Sequence, residues 1–333
     1  MQQTILFGNG INRLSTGDFE WRQLLETVNR RRTVTNTNIS YSHIYEDLLV
    51  NGAHNDMPES LDITDRESTL KKSISECIRN LSASDATIAM YRRLFALPVD
   101  YFLTTNYDYI YEKALNSLDY VCDVKHSDAS ERIYSLHRKR VFNNGHKSIS
   151  VWPVHGELQA PSSMMLGYDH YCCAIGAMLK YITNGSDKKE LNPRRSNYLA
   201  RRNKYKHYLP YILYRVRHNE IPTNYWIDTF FNTDVHIIAS GLDFAETDLW
   251  WILDKRVRHK QSIWCQHKTD YPISMKNKIY LYGCVRSNEI MEMLKAYDVD
   301  ISNVITREPK DWEAQYNEWI DCMAKNIQYR KNV

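Results

Sequence analysis

Four short polar segments of this sequence carry the residues best suited to chemistry. Each follows an apolar run typical of a buried strand, at residues 5–7, 99–103, 149–154 and 235–239. The segments are residues 8–12, residues 104–108, residues 155–156 and residues 241–243. Ligands of open α/β sheets bind beyond the carboxyl ends of the strands, so the four segments are predicted to meet at one site. Glycine and short polar side chains repeated at such places indicate a nucleotide cleft.

The first segment is a glycine turn, with Gly8 and Gly10 on either side of Asn9. Glycine at such a turn would let backbone N–H groups approach a pyrophosphate, and the start of a following helix would add its positive dipole. The full dinucleotide fingerprint needs a third glycine where Arg13 stands. Taken alone, this segment therefore also fits an ordinary strand-to-helix turn.

The order of the motifs resembles one known family. The motifs are residues 8–12 with Trp21, Leu24 and Leu25, then residues 104–108, then His155, Gly156, Leu158 and Pro161. They are similar to motifs of the sirtuin-like (silent-information-regulator-type) NAD-binding family. The resemblance is closest to the bacterial branch that cleaves NAD in anti-phage defence. It implies an NAD glycohydrolase that forms nicotinamide and ADP-ribose, linear or cyclic, with NAD as the substrate and no separate cofactor.

The resemblance also implies roles for individual residues. Asn106 would hold the nicotinamide ribose and orient a water molecule, which a neutral amide does without adding a competing charge. His155, with an ordinary pKa near 6.5, would accept a proton from the ribose or the water. Without the family context, an asparagine at a strand end is commonly a turn residue and a lone histidine is commonly structural. The residues implied to contact NAD are Gly8, Asn9, Gly10, Asn12, Thr105, Asp108, Gly241 and Asp243.

The fourth segment resembles the late glycine loop of the family. Gly241 would border the ligand, and Asp243 would bind a hydroxyl of the adenosine ribose. A purely structural alternative is that Glu246, Thr247 or Asp248 caps the helix that follows. The two interpretations are compatible with each other.

Two other classes of function use the same features. A protein deacylase or ADP-ribosyltransferase would share the cleft, but sirtuin deacylases carry a four-cysteine zinc module. The seven cysteines of this chain contain no C-x-x-C pair, so no metal site is predicted. A non-catalytic nucleotide-binding or nucleic-acid-binding module would use the basic, tyrosine-rich residues 187–218. We favour a solvated helical face with inward-packed tyrosines there, and next a subunit interface.

Size and composition set broad limits. A chain of 333 residues with 43% hydrophobic and 25% charged residues is ordinary for a globular protein and argues against disorder or a fibre. The sequence lacks an apolar run of the roughly 18–20 residues needed to cross a bilayer, and Met1 is not followed by a secretion signal. We therefore expect a cytoplasmic protein. A net charge of +3 is too small to imply nucleic-acid binding.

Strands that alternate with helices predict an α/β fold with a Rossmann-like, mainly parallel sheet. We expect one domain over residues 1–333, with helical insertions at about 30–97 and 168–230 forming a second lobe. The last strands are predicted at residues 262–265 and 279–282, and Asp169 could cap a helix. A C-terminal amphipathic helix is indicated by Trp312, Tyr316, Trp319, Met323 and Ile327.

The expected partners follow from the need to control an enzyme that consumes NAD. The resting state should be inhibited, and the sequence lacks a recognisable effector-binding module. We predict a homo-oligomer, with a partner ATPase or helicase of the HerA type as a further candidate that the resemblance implies. Neither a membrane nor direct nucleic-acid binding is expected. The C-terminal helix and residues 187–218 are the candidate interfaces, although the apolar helix face could instead pack on the chain's own core.

Overall fold

The structure is a computed structural model of the 333-residue chain. It describes residues 1–16, 24–25, 28, 39–51, 62–125, 134–185, 209–220, 224–242, 244–262, 265–266 and 272–332.

A single mixed sheet of eight strands organises the described part of the chain. In chain order the strands are β1 Gln3–Phe7, β2 Tyr101–Thr104, β3 Val121–Lys125, β4 Arg140–Asn143, β5 Ser148–Pro153, β6 Asp234–Ile238, β7 Ile279–Cys284 and β8 Val299–Ile305. Their order across the sheet is β3-β4-β5-β2-β1-β6-β7-β8. The pairs β3–β4 and β4–β5 are antiparallel, and the other pairs are parallel. The predicted Rossmann-like α/β fold with a mainly parallel sheet is therefore confirmed.

Helices cover both faces of this sheet. They are α1 Arg13–Thr16, α2 Tyr41–Asn51, α3 Ile63–Arg79, α4 Asp85–Ala96, α5 Ile110–Asn116, α6 Tyr168–Asn184, α7 Tyr211–Arg217, α8 Thr229–Asn232, α9 Thr247–Lys260, α10 Asn288–Ala296 and α11 Trp312–Asn332. Local signals set several ends. Asp62 and Ser84 accept backbone N–H bonds at the starts of α3 and α4. Pro98 follows α4, and Leu97 before it is already extended.

The sheet brings the ends of the four predicted strands together. β5, β2, β1 and β6 are consecutive and parallel, so their carboxyl ends lie at one edge. Phe7 pairs with Thr104 on one side and with Ile238 on the other, and Thr104 pairs with Pro153. Every residue of β1 and β6 is buried, as expected for central parallel strands covered on both faces.

Two sequence predictions fail in detail. The strand expected at residues 262–265 is wrong at its described ends, because Ser262 and Cys265 lie in a turn closed by the Cys265 N–H and the Ser262 carbonyl at 3.0 Å. Asp169 does not cap α6 but lies in its first turn, after Gly167 at the cap. At the cap, His170 Nδ1 accepts the N–H groups of Leu166 and Gly167 at 3.0 and 2.8 Å. His170, three positions beyond Gly167, therefore accepts the backbone N–H groups just before the first turn of α6.

Two apolar clusters show where helices of the two insertions pack. α2 and α3 pack with Leu158, Met164 and Leu166 in a cluster of their own. In contrast, α6 and α7 contribute Met178 and Tyr211 to the main core on one face of the sheet. The second lobe stays a prediction, and α2 and α3 are the described insertion helices that pack in a separate cluster.

The C-terminal helix packs on its own chain. Tyr316, Trp319, Met323 and Ile327 of α11 are at most 4% exposed, in the cluster on the other face of the sheet. The sequence predicts that the apolar face of this helix either forms an interface or packs on the chain's own core, and in the structure it packs on the core. Tyr211 and Tyr214 of the basic segment are also buried, while residues 186–208 lie outside the described residues.

No helix in the described ranges is both long enough and apolar enough to cross a membrane.

Candidate functional site

A cavity of about 250 Å³ lies at the sheet edge where the four segments meet. Each of the four segments contributes residues to the wall of this cavity, and α2 contributes three more. The lining residues are Asn9, Gly10, Arg13, Leu25, Tyr41, Ser42, Tyr45, Thr105, Tyr107, His155, Met165, Leu166, Tyr171, Ala239, Ser240, Gly241, Ala245 and Glu246. The convergence predicted from the strand ends is therefore present in the fold.

The predicted site residues separate into two layers. Asn9, Gly10, Thr105, His155 and Gly241 line the cavity. Four others do not line it: Gly8, Asn12, Asn106 and Asp108. The side chains of Asn12, Asn106 and Asp108 are buried, with 3%, 3% and 6% of their surface exposed. Asp243 lies outside the described residues.

The glycine turn packs tightly against the end of β6. The N–H groups of Gly8 and Gly10 donate to the carbonyls of Ile238 and Ala239 at 3.0 and 2.8 Å. A Cβ on Gly8 would lie 2.6 Å from the Ala239 oxygen, and one on Gly10 would overlap the Tyr316 hydroxyl. The two glycines thus have a packing reason of their own, and their N–H groups are already bonded. A pyrophosphate at this turn would need other donors, of which Arg13 also lines the cavity.

The fourth segment has an unusual backbone. Ala239 and Leu242 adopt left-handed conformations, with φ of 58° and 43°, although neither is glycine. Such residues cost about 1–3 kcal/mol each and concentrate at functional sites. Between them, a Cβ on Gly241 would meet no atom of the described residues within 4 Å. Packing therefore does not require glycine at 241, where the chain borders the cavity.

His155 is held on the cavity wall by the turn that follows it. Gly156 has φ of 97°, and a Cβ there would overlap the carbonyl oxygen of Ser163. Only glycine satisfies both conditions without a rearrangement. The backbone carbonyl of His155 accepts the N–H of Met165 at 2.9 Å, which joins this turn to another part of the wall.

Asp248, in the first turn of α9, is the partner of His155. Its carboxylate oxygens lie 3.1 and 3.2 Å from His155 Nε2, and the two residues are 1% and 3% exposed. Burial alone would lower the pKa of His155, but the charge and hydrogen bond of Asp248 outweigh it and raise the pKa above its ordinary value. The carboxylate accepts the Nε2 proton, so the lone pair of neutral His155 is on Nδ1. The sequence alone predicts Asp248 only as a possible cap of the following helix.

A buried ion network fixes the chain next to His155. Glu157 is 1% exposed, and its carboxylate lies 3.6 Å from the guanidinium groups of both Arg138 and Arg140. The Tyr109 hydroxyl donates to Glu157 Oε2 at 2.9 Å. Because Tyr109 follows the second segment and Glu157 follows the third, this network holds two sides of the cleft together.

Replacing Glu157 with alanine should lower the free energy of unfolding by about 3 kcal/mol, because Arg138 and Arg140 lose a shared buried counter-charge while Arg140 keeps its pair with Glu112 at 2.5 Å. Urea denaturation would measure the loss. Glu292→Ala is the matched control, since Glu292 pairs with Lys295 at 2.7 Å while 70% exposed. That control should change stability by less than about 1 kcal/mol. Equal effects of the two substitutions would contradict a stabilising role for the network.

Comparisons with known proteins agree with this geometry. Residues 100–219 match the family model of the SIR2-like domain, which includes Asn106 and His155. No curated protein matches the chain. A SIR2-like domain indicates NAD-dependent activity in general and is compatible with an enzyme that uses NAD. The match therefore shows a SIR2-like domain at residues 100–219, in agreement with the predicted sirtuin-like resemblance.

Proposed function

We propose that this protein is an NAD glycohydrolase that cleaves NAD to nicotinamide and ADP-ribose. The observation that carries the proposal is the buried His155–Asp248 pair on the wall of the cavity where the four segments meet. A histidine of raised pKa facing a cleft is suited to accept a proton, and a family that uses NAD supplies the substrate class.

The reaction needs positioning more than acid catalysis. The bond between C1′ of the ribose and the pyridinium nitrogen breaks, and nicotinamide leaves as a neutral molecule with the electron pair. The ribose becomes an oxocarbenium-like centre, and a water oxygen bonds to C1′ and loses one proton. Because the leaving group needs no protonation, the enzyme contributes orientation, charge complementarity and a proton acceptor.

In this proposal His155 accepts that proton at Nδ1. The negative charge of Asp248 stabilises the imidazolium that forms, and its hydrogen bond fixes the ring and the tautomer. Asp248 is a positioning residue because it acts through His155. Arg13 and Asn9, which line the same cavity, are suited to the phosphates, since a guanidinium and an amide both donate to phosphate oxygens.

Asn106 would hold the ribose and the water from the layer behind Thr105. Its backbone N–H donates to the Thr104 hydroxyl at 3.0 Å, and its Nδ2 donates to the Tyr91 hydroxyl at 3.2 Å. Its buried Oδ1 has no hydrogen-bond partner among the described residues. A buried acceptor without a donor is costly, and a substrate hydroxyl or water would satisfy it.

Product analysis tests the proposal most directly. The pure protein is incubated with NAD and the products are separated by chromatography, with His146→Ala, on an exposed turn, as the control for His155→Ala. Release of nicotinamide and ADP-ribose that depends on His155 supports the glycohydrolase. Transfer of label to protein would identify an ADP-ribosyltransferase, acetyl-ADP-ribose formed from an acetylated peptide a deacylase, and intact NAD a non-catalytic nucleotide-binding module.

Anti-phage defence by NAD depletion is the biological role that we propose. Cells that carry the wild-type protein should lose NAD during infection and restrict phage plating, whereas cells with the His155→Ala protein should do neither. Restriction that persists in the His155→Ala cells would separate the biological role from NAD cleavage.

Control by assembly is the remaining part of the proposal. We expect a homo-oligomer, with a HerA-type ATPase as a candidate partner, because an unregulated enzyme would exhaust the NAD of its own cell. We do not assign the buried face of α11 to this interface, because its aromatic side chains pack in the core of the same chain. Size-exclusion chromatography with light scattering should show a multiple of 39.4 kDa. A stable monomer that cleaves NAD at its full rate without a partner would refute assembly control.

A further inference from the structure

Four buried side chains form one chain of hydrogen bonds behind the cavity. Asn12 Nδ2 donates to Asp108 Oδ2 at 2.8 Å, and the Tyr91 hydroxyl donates to Asn12 Oδ1 at 2.8 Å. Asn106 Nδ2 then donates to the Tyr91 oxygen at 3.2 Å. All four residues are at most 6% exposed. We call Asp108, Asn12, Tyr91 and Asn106 the amide relay.

The direction of the relay is set at Asp108. A carboxylate can only accept, so Asn12 must turn its nitrogen toward Asp108. The second proton on that nitrogen goes to Asn9 Oδ1 at 3.0 Å, which leaves Asn12 Oδ1 as an acceptor. Tyr91 must then donate to Asn12, and its oxygen accepts from the nitrogen of Asn106. Each bond fixes the next, and Asn106 Oδ1 is left unpaired within the described residues.

We propose that Asn12 and Tyr91 are positioning residues that fix the amide of Asn106 so that its oxygen, not its nitrogen, faces the reacting groups. This deepens the proposed NAD cleavage and rests on it. The oxygen accepts from a ribose hydroxyl or from the attacking water, and its partial negative charge suits an oxocarbenium-like centre. The nitrogen in the same place would present partial positive charge to a developing cation.

Two further observations support the assignment. Asp108 Oδ1 accepts the Ile110 N–H at 2.9 Å, which leaves Oδ2 to accept from Asn12. Burial, partly offset by these hydrogen bonds, raises the pKa of Asp108 to about 6, so the carboxylate that orients the relay is the main form above that pH. Tyr91 comes from α4, which contributes no residue to the cavity wall, so its hydroxyl acts only through Asn12 and Asn106. The ring itself packs on Phe7, with centroids 5.5 Å apart.

The chain offers a matched control for Tyr91→Phe. Tyr111 is 1% exposed, packs edge-on against the same Phe7 at 5.7 Å, and its hydroxyl has no hydrogen-bond partner within the described residues. Tyr91→Phe should lower kcat for NAD cleavage by about 10–100-fold with KM within about threefold of wild type. Tyr111→Phe should leave both constants within about threefold of wild type. A general packing defect would affect the two variants alike.

Asp108→Asn tests the direction itself. An asparagine at 108 can accept the Ile110 N–H with its oxygen and donate to Asn12 with its nitrogen, which turns Asn12, Tyr91 and Asn106 around in sequence. This variant should lose at least as much kcat as Tyr91→Phe, again about 10–100-fold or more, without a matching rise in KM. It also keeps the test decisive if Tyr91→Phe does not fold.

A readout without catalysis separates the relay from the proposed function. The side-chain amide resonances of Asn106 can be identified by NMR through their loss in Asn106→Ala. They should move in Tyr91→Phe and Asp108→Asn and stay in place in Tyr111→Phe. Unmoved resonances, or equal kinetics for the two tyrosine variants, would overturn the relay. If the wild-type protein does not cleave NAD, the proposed function fails, and the resonances alone decide the orientation of Asn106.

Discussion

Replacing Asp248 with asparagine is expected to lower kcat for NAD cleavage by about 10²–10⁴-fold while the protein remains folded. The asparagine nitrogen would donate to His155 Nε2, which forces the imidazole proton onto Nδ1, the atom that must accept it. The substitution also removes the negative charge that stabilises the imidazolium. Steady-state kinetics would measure the loss, and His155→Ala should lose about as much, because the two residues act as a unit.

The pH dependence of kcat/KM should also report the raised pKa of His155. His155 acts as a base when neutral, so kcat/KM of the wild type should rise with pH through its raised pKa and then level off. In Asp248→Asn burial remains but the charge is gone, so the pKa falls and the rising limb of the residual activity should move to lower pH. In the folded wild type the raised pKa also adds stability at pH below 6.5, which is lost as pH rises through the folded-state pKa.

The control for Asp248→Asn comes from the same helix. Asp254 of α9 pairs with Arg258 at 2.8 Å near the surface, so Asp254→Asn should leave both kcat and the pH profile unchanged. A rate within about threefold of wild type in a folded Asp248→Asn protein would contradict the dyad, since loss of one positioned partner commonly costs far more.

Replacing Asn106 with alanine should also lower NAD cleavage by about 10²–10⁴-fold, because it removes the acceptor proposed to hold ribose and water. The fold should persist, since the backbone N–H of Asn106 keeps its bond to Thr104. Circular dichroism and thermal melting would check folding, and product analysis would measure the rate. Asn303→Ala, on the edge strand β8, is the control and should retain full activity. Unchanged activity in Asn106→Ala would contradict both its role and the amide relay.

The sequence predicts the cleft well because strand ends follow a simple rule. Four apolar runs coincide closely with the four central strands, and they precede Gly8, Asn106, His155 and Gly241. Because these strands are parallel, their carboxyl ends lie at one edge of the sheet. β3, β4 and β8 were missed because they are edge or near-edge strands with polar residues mixed into them, so they lack a continuous apolar run. For the same reason their pairing depends on neighbours that the local sequence does not specify.

The partners of the site residues were beyond sequence reasoning for a different reason. Asp248 has the same type and position as an ordinary residue in the first turn of a helix, and only the fold places it 3.1 Å from His155. Tyr91 belongs to a helical stripe typical of core packing, and its hydroxyl acquires a role only beside Asn12 and Asn106. Contacts between residues far apart in the chain depend on how helices pack on the sheet, which local patterns do not encode.

The place of β1 in the sheet has a consequence for synthesis of the protein on the ribosome. β1 begins at Gln3, yet it is paired on one side with β2 and on the other with β6, whose first residue is Asp234. β1 therefore leaves the exit tunnel more than two hundred residues before the strand that is its second neighbour. Asp248 emerges later still, so a nascent chain cannot complete the His155 pair during most of its translation. The proposed NAD cleavage therefore cannot begin before Asp248 has left the ribosome and reached His155.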